Sequence, residues 1–270
     1  MQAVPLLARA SFGLLLATTA AAHAVPACTA QSPAHSVALV ELYTSEGCSS
    51  CPPADKWLSR FTANRFPTDR VVPLAFHIDY WDYLGWRDRF ASPVFGARQR
   101  EQVERQRARF AYTPQIILDG HDWRGWGDEA GLRRELDRVN ARPSPLQLHL
   151  TAAATGERRL EVDLHAAGEK AAGTRVYLAL YESGLESRVT AGENENVRLH
   201  HDYVVRRLVG PIELGAQALD RHESIALPPD LKLPRAGLVA FSEPAEETGA
   251  RQAVALALAG CVADESGATK

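Results

Sequence analysis

The sequence Cys48-Ser49-Ser50-Cys51-Pro52-Pro53 decides how this chain is interpreted. It follows the apolar run Val37–Tyr43 and precedes a stretch of helical character, so the cysteines lie where a strand passes into a helix. The backbone turns sharply at such a junction, which lets two cysteines separated by two residues close a small disulfide ring. Prolines are tolerated in the first turn of a helix, where the missing N–H group would have had no partner. We therefore expect a helix that starts near Cys48 and continues to Phe61.

This predicted helix gives the two thiols different roles. Cys48 lies at the positive end of the helix dipole, which stabilises a thiolate and lowers the pKa of the thiol, so Cys48 is the expected nucleophile. Cys51, one turn further in and less exposed, is the expected resolving thiol that expels a mixed disulfide. Glu41 interrupts the preceding strand. It is either a surface position or a buried acid that takes and returns the Cys51 proton.

The composition is that of an ordinary globular protein. The chain has 270 residues, of which 46% are apolar and 23% charged, and its formal net charge is -3. A chain of this length has room for two modest domains. There is no basic excess of the kind that nucleic-acid-binding domains carry, so we exclude nucleic acid as a partner.

The first residues predict export. Residues 1–24 are apolar over much of their length and end in Ala22-His23-Ala24, a signal-peptidase pattern, so a signal peptide and a periplasmic or secreted location are expected. The apolar core is shorter than the ~20 residues of a spanning helix, and no later stretch is long enough, so no stable membrane span is expected after cleavage. Cys28 is an alternative lipoprotein site, which Pro26 fits poorly.

Four cysteines follow the predicted leader: Cys28, Cys48, Cys51 and Cys261. Four thiols allow three pairings, and an even number suits an oxidising compartment. If Cys48 pairs with Cys51, then Cys28 and Cys261 remain, one near each end of the mature chain. Because domain termini often lie close together, a Cys28–Cys261 structural disulfide is a reasonable hypothesis.

The residues after the cysteine pair predict the rest of an α/β domain. Val71–Ile78 has the character of a second strand, parallel to the first through a right-handed crossover. The loop Asp79–Phe90 then leaves the same sheet edge as Cys48, the edge at which open α/β sheets bind ligands. Its aromatic residues, which include Tyr80, Trp81 and Trp86, either contact substrate or cover a small core.

A proline precedes the next strand, and a linker ends the domain. Pro114 follows Thr113 immediately before Gln115–Leu118, and a proline at the first residue of a buried strand is a candidate for a cis peptide bond. The linker Arg142–Pro145 precedes alternating apolar runs that indicate an antiparallel β-domain of sandwich type. The predicted units are a signal peptide at 1–24, an α/β domain at 25–141, a β-rich domain at 146–262 and a tail at 263–270.

The pairing of Cys48–Cys51 with Thr113–Pro114 resembles the thioredoxin superfamily. The longer strings Val40–Asp55 and His77–Trp86, with Gly192-Glu193-Asn194, resemble a family of secreted bacterial thioredoxin-like proteins known only as domain of unknown function 1223. The resemblance implies an α/β thioredoxin-like fold with a helical insertion, followed by a C-terminal antiparallel β-sandwich-like domain.

The same resemblance assigns roles to single residues. It implies that Cys48 is the attacking thiolate and Cys51 the resolving thiol. It further implies that Pro114 is a cis proline facing the disulfide, that Thr113 helps receive an extended substrate segment, and that Glu41 is the buried proton carrier.

Three functions remain open at this point. The first is thiol–disulfide exchange with protein thiols or disulfides of the cell envelope, which needs no cofactor beyond the disulfide itself. The second is a copper site formed by Cys48, Cys51 and either His77 or His121. The third is a non-enzymatic binding module in which the disulfide is inert. The sequence gives no indication of oligomeric state.

Overall fold

The computed structural model describes residues 27–62, 65–155, 158–169 and 171–261, so the predicted signal peptide and the predicted tail lie outside the described residues. The strands are β1 (Cys28–Gln31), β2 (Ala38–Thr44), β3 (Val71–His77), β4 (Gln115–Leu118), β5 (His121–Asp122), β6 (Gln147–Thr155), β7 (Arg159–Ala167), β8 (Thr174–Glu182), β9 (Leu185–Arg188), β10 (Arg198–His201), β11 (Val204–Leu214), β12 (Leu219–Ala226), β13 (Ala236–Pro244) and β14 (Gln252–Ala257). The α-helices are α1 (Pro52–Leu58), α2 (Pro93–Arg105) and α3 (Glu129–Asn140). The described chain is therefore a mixed α/β protein that consists mostly of sheet.

The largest sheet has eight strands in the order β14-β13-β8-β11-β3-β2-β4-β5. β2 and β3 are parallel neighbours, and β4 runs antiparallel to β2. On its other side β3 meets β11, where the Ala75 N–H donates to the Tyr203 carbonyl at 2.8 Å. The sheet thus contains strands from both sides of the predicted linker Arg142–Pro145. The chain on either side of this linker shares one sheet.

β2 lies in the middle of one half of this sheet and is buried along its whole length. Because side chains alternate along a strand, β2 serves two different cores. Val40 and Leu42 belong to the cluster that contains α1 and α3, whereas Leu39 and Tyr43 belong to the cluster that contains Phe95 of α2. α1 and α3 therefore cover one face of the sheet and α2 covers the other.

The other half of the large sheet is covered by a second, four-stranded sheet in the order β1-β6-β7-β12. Buried positions alternate with half-exposed ones along β6 and β7, as expected for strands with one face in a core. Leu148 and Val162 of this sheet share a hydrophobic cluster with Leu178 and Leu238 of the large sheet. Two packed sheets therefore form the C-terminal part of the described chain.

A disulfide joins Cys28 of β1 to Cys261, which follows β14, with 5.3 Å between the two Cα atoms. This is the pairing that the cysteine spacing suggested, and it links the two ends of the described chain. No helix among the described residues is long and apolar enough to cross a membrane.

Candidate functional site

The second disulfide joins Cys48 and Cys51 at the carboxyl end of β2, with 5.5 Å between the Cα atoms. Two successive turns shape the segment, since the Cys48 N–H donates to the Ser45 carbonyl and the Cys51 N–H to the Cys48 carbonyl, each at 3.2 Å. α1 begins only at Pro52, so the prediction that the helix starts near Cys48 and reaches Phe61 was wrong. Residues 45–51 form these turns, so Cys48 lies outside the helix.

Both sulfur-bearing residues are buried, with 0% of Cys48 and of Cys51 exposed, although Ser49 and Ser50 between them are exposed. The hydroxyl of Ser50 lies 3.3 Å from the sulfur of Cys48. A partner molecule therefore meets the two serines first and does not meet the sulfurs directly.

Trp81 connects the cysteine segment to the threonine–proline step. Its backbone and Cβ lie so close to Gly47 that a Cβ added there would be 2.9 Å from the Trp81 Cβ, so the position before Cys48 requires glycine. The indole N–H of Trp81 donates to the Thr113 hydroxyl at 2.8 Å, and the Thr113–Pro114 peptide bond is cis. The structure thus brings three separate sequence motifs to one place.

The other predicted aromatic contacts lie around this place. The Trp86 indole N–H donates to Oε2 of Glu46 at 2.8 Å. Tyr80 is 39% exposed, and its ring centroid is 6.4 Å from that of Trp81. Tyr83, at 79% exposed, is the most accessible aromatic residue of the loop.

A distant segment of the chain covers the cysteine segment from another side. The side-chain amide of Asn194 donates to the carbonyls of Glu46 and Cys48, at 2.9 and 3.0 Å. The neighbouring carboxylate of Glu193 accepts from both the N–H and the hydroxyl of Ser49, at 3.0 and 2.7 Å. These two donors lower the pKa of Glu193. We call Gly192-Glu193-Asn194 the covering segment.

The covering segment belongs to the strings that carry the family resemblance, but no role for it was predicted from the sequence. A signal was available, because Asn and Glu beside a glycine suit a turn that offers side chains to another backbone. Gly192 has a φ of +77°, which glycine adopts without strain. Nothing in the local sequence, however, indicates that the turn lies over Cys48.

Glu41 is not part of this site, which corrects its assignment as proton carrier. Its side chain lies on the same face of β2 as Leu39 and Tyr43, two residues away on either side, and so points towards α2, whereas α1 lies on the opposite face. Its Oε1 accepts from Nε and Nη2 of Arg98 in α2, at 2.8 and 2.6 Å. Burial raises the pKa of Glu41, and Arg98 opposes this increase.

Other ionisable side chains lie beside the cysteines instead. Glu46 precedes Cys48 by two residues, Asp55 follows Cys51 by one helical turn, and both are buried. Between them lies the imidazole of His201, whose Nε2 is 3.3 Å from Glu46 Oε1 and whose Nδ1 is 3.8 Å from Asp55 Oδ2. Asp55 and His201 were not among the site residues predicted from the sequence. We call Glu46, Asp55 and His201 the buried acid–histidine group.

His77 and Asp88 form a second buried pair against this group. The His77 Nδ1 is 2.7 Å from the Asp88 carboxylate, and the His77 and His201 ring centroids are 4.8 Å apart. Burial alone would lower the pKa of His77, but the Asp88 carboxylate outweighs it and the pKa is raised. Burial likewise opposes ionisation of Asp88, and His77 reverses this so that the pKa of Asp88 is lowered.

The copper alternative required a histidine near the cysteines. His121 does not qualify, because it lies near the wrong end of β2. It belongs to β5, which follows the turn at Asp119, and the Asp119 N–H donates to the carbonyl of Leu39 near the start of β2. Cys48 follows the other end of β2, and the five steps from Leu39 to Thr44 along the strand alone span roughly 17 Å. His77 is closer but is paired with Asp88. Among the described residues, no group of three His, Cys, Asp or Glu side chains is placed to hold a metal ion.

The chain is similar to a family and to two solved structures. A family model described as DUF1223, a protein of unknown function, matches residues 39–242. The crystal structure of protein AGR_C_4864 from Agrobacterium tumefaciens is 24% identical, with a TM-score of 0.56 over 87% of this chain and 99% of that one. HBP35 of Porphyromonas gingivalis is 12% identical, with a TM-score of 0.65 over 88% and 80% of the two chains. At these identities the likeness extends to the fold alone. No curated protein matches the chain significantly.

Proposed function

This chain belongs to the DUF1223 family of proteins of unknown function, and from its site we propose that it is a thiol–disulfide oxidoreductase that uses the Cys48–Cys51 pair. One observation carries the proposal. The disulfide lies at the carboxyl end of a central strand, and the hydrogen bond from Trp81 to Thr113 connects the aromatic loop to the cis Thr113–Pro114 step. When the cover over the cysteine segment opens, such an arrangement would present the Cys48 sulfur beside backbone groups that can hold an extended polypeptide.

In the proposed reaction a thiolate of the partner protein attacks the Cys48 sulfur. The Cys48–Cys51 bond breaks, its electron pair stays on Cys51, and Cys51 takes up a proton. A second thiolate of the partner then attacks the partner's own sulfur in the mixed disulfide and releases Cys48 as a thiolate. The partner leaves with a disulfide, and Cys48 and Cys51 remain in the reduced state. In the reverse sequence the reduced Cys48 and Cys51 thiols reduce a disulfide of the partner, and the Cys48–Cys51 disulfide forms again.

The superfamily and the location belong to the proposal as well. A parallel β2–β3 pair, an antiparallel β4 after a cis proline, and helices on both faces support a thioredoxin-like arrangement of the N-terminal half. Two disulfides among the described residues support an oxidising compartment, such as the periplasm or the extracellular space. We propose protein thiols and disulfides of that compartment as partners.

The burial of both sulfurs favours a second candidate function. A disulfide that no thiolate can reach is structural, and the protein would then be a binding module that presents exposed aromatic side chains such as Tyr83 and Phe110. The two functions differ in one measurable property. In an oxidoreductase the cover over Cys48 opens without unfolding of the domain, whereas in a binding module it does not.

Peptide mapping after graded reduction tests the proposal. Native protein is incubated with dithiothreitol and then with an alkylating reagent, and labelled cysteines are identified by mass spectrometry. We expect Cys48 and Cys51 to become labelled reversibly while Cys28 and Cys261 stay paired, and we expect Cys51→Ala to trap mixed disulfides through Cys48. If all four cysteines become labelled together, and only when the fold melts, the disulfide is structural and the binding-module function stands. Copper retained at one equivalent through gel filtration would instead support the metal site.

A further inference from the structure

Asp55 is a buried carboxyl group that the proposed reaction has not yet used. Its backbone N–H donates to the Cys51 carbonyl at 3.1 Å, so Cys51 and Asp55 are separated by one helical turn. Cys51 itself has helical backbone angles, and side chains four residues apart lie on the same face of a helix. Asp55 is 6% exposed. An ionisable group therefore lies on the same face as the resolving sulfur and away from solvent.

The contacts of Asp55 explain how its charge is controlled. Burial raises the pKa of Asp55, and the nearby imidazoles of His201 and His77 oppose this increase. Asp88 contributes a smaller effect in the same direction as burial, and Glu46 faces the group across His201. His201 is 2% exposed, and neither of its ring nitrogens completes a hydrogen bond of normal geometry within the described residues.

We propose that Asp55 exchanges the proton of the Cys51 thiol and that His201 is a positioning residue that sets the charge of Asp55. This inference rests on the proposed oxidoreductase function. When the disulfide is reduced, the proton of the Asp55 carboxyl moves to the departing Cys51 thiolate. When a mixed disulfide on Cys48 is resolved, the Cys51 thiol returns its proton to Asp55, its sulfur attacks the Cys48 sulfur, and the partner leaves as a thiolate. Atoms and electrons balance in both directions.

The first test separates formation of the mixed disulfide from its resolution. Reduced full-length protein is mixed with glutathione disulfide, quenched with acid at intervals and analysed by mass spectrometry. We expect Asp55→Asn to form the glutathione adduct on Cys48 at the wild-type rate but to resolve it ~100-fold more slowly near neutral pH, which is the usual contribution of a positioned acid or base. Asp220→Asn is the matched control, because Asp220 bonds an exposed histidine, His165, on the C-terminal sheet.

The second test measures how the resolution rate depends on pH when His201 is replaced. The resolution rate rises with pH as Asp55 loses its proton, and a positive His201 lowers the pKa of Asp55. We therefore expect His201→Gln to move the midpoint of this rise to higher pH, whereas His165→Gln leaves it in place. A purely structural role for His201 would change stability without moving the midpoint. If Asp55→Asn does not fold, as judged by circular dichroism, the His201→Gln profile carries the test alone.

The outcomes distinguish this inference from the function on which it rests. If the folded, reduced wild type forms no adduct with glutathione disulfide, both proposals are overturned. If wild type reacts and Asp55→Asn resolves its adduct at the wild-type rate, or His201→Gln has an unshifted profile, the inference is overturned while the oxidoreductase function stands. Slow resolution of the adduct by Asp55→Asn, together with a pH midpoint shifted upwards in His201→Gln, supports the inference.

Discussion

Asn194 illustrates how single side chains control the site. Asn194 is buried, and its side-chain amide donates to the backbone carbonyls of Glu46 and Cys48. Removing such a side chain leaves both carbonyls without a partner, which typically costs 1–3 kcal/mol per buried group. The segment that covers the disulfide should then open more often, since local opening depends on the free energy of the contacts that close it.

We therefore expect dithiothreitol to reduce the Cys48–Cys51 disulfide of Asn194→Ala about 10-fold faster than that of wild type. The reason is that destabilising the closed state by about 1.4 kcal/mol raises the population of the open state tenfold. Asn140→Ala is the matched control. Asn140 also bonds two backbone carbonyls, those of Ser36 and Arg70, but it lies at the amino ends of β2 and β3. Equal rates for the two variants would show that the covering segment does not limit access.

Glu41 offers the opposite prediction, namely a large effect on stability and none on chemistry. It forms a buried ion pair with Arg98, and removing one partner of such a pair typically costs about 3–5 kcal/mol. We expect Glu41→Ala to lose stability of this order in urea unfolding, while the pH dependence of Cys51 resolution in folded protein stays unchanged. A shift in that pH dependence would restore Glu41 to the proton-carrier role.

At the scale of elements, the loop after β3 is held by its own histidine–aspartate pair. His77 ends β3, and Asp88 lies eleven residues further along, near the end of the aromatic loop Asp79–Phe90. The pair closes the loop over the buried acid–histidine group, and the Asp88 carboxylate also accepts from the backbone N–H of Glu46 at 3.0 Å. This one carboxylate therefore connects the aromatic loop to the cysteine segment.

The pKa shifts of this pair predict how stability depends on pH. The pKa of His77 is raised above its ordinary 6.5, so its stabilising contribution is complete below pH 6.5 and is lost as the pH rises through the folded-state value. The pKa of Asp88 is lowered below 3.8, so its contribution is complete above that value and is lost in stronger acid. We expect the difference in Tm between wild type and His77→Gln to be larger at pH 6 than at pH 9, as measured by thermal unfolding. A difference that does not vary with pH would contradict the charged pair.

Sequence patterns predicted some elements well because each depended on local constraints. Val37–Tyr43 is apolar except at Glu41, and the strand Ala38–Thr44 that forms there is buried on both faces. Thr113–Pro114 precedes a strand and has a cis bond. The helix after the cysteines was predicted too long, because the turns around Cys48 are decided by contacts with Trp81 and Asn194. These contacts join residues far apart in sequence, and no periodicity records them.

Charge patterns were the least informative part of the sequence. The arginine-rich helix α2 has the appearance of a solvated face, yet Arg98 is buried and bonds both Glu41 and Glu243. Its guanidinium also lies over the rings of Tyr177 and Phe241, at 4.7 and 4.9 Å. The partners come from β2 and β13, so only the assembled sheet shows why an arginine is buried here.

At the scale of the whole molecule, the two disulfides differ most in the length of chain they close. Cys28 and Cys261 are 233 residues apart, whereas Cys48 and Cys51 are 3 apart. In the chain-entropy model the long closure contributes up to about 5 kcal/mol and the short one about 2 kcal/mol. The long disulfide is thus suited to stability and the short one to exchange.

We expect the double variant Cys28→Ala/Cys261→Ala to lose up to about 5 kcal/mol of unfolding free energy in urea while its Cys48–Cys51 pair reacts as in wild type. The matched control is Cys48→Ala/Cys51→Ala, which should lose less stability and all thiol reactivity. If the long pair proves dispensable for stability and the short pair essential, the roles assigned to the two disulfides are exchanged.

The position of β3 between β2 and β11 limits how the chain can be shortened. A fragment truncated after residue 141 would keep Cys48 and Cys51 but would leave the backbone N–H of Ala75 without its bond to the Tyr203 carbonyl. It would also lose Asn194 and His201, and with them the cover and one side of the acid–histidine group. Exposed strand edges of this kind recruit other chains, so a recombinant miniature would accumulate in inclusion bodies rather than behave as a free-standing reagent.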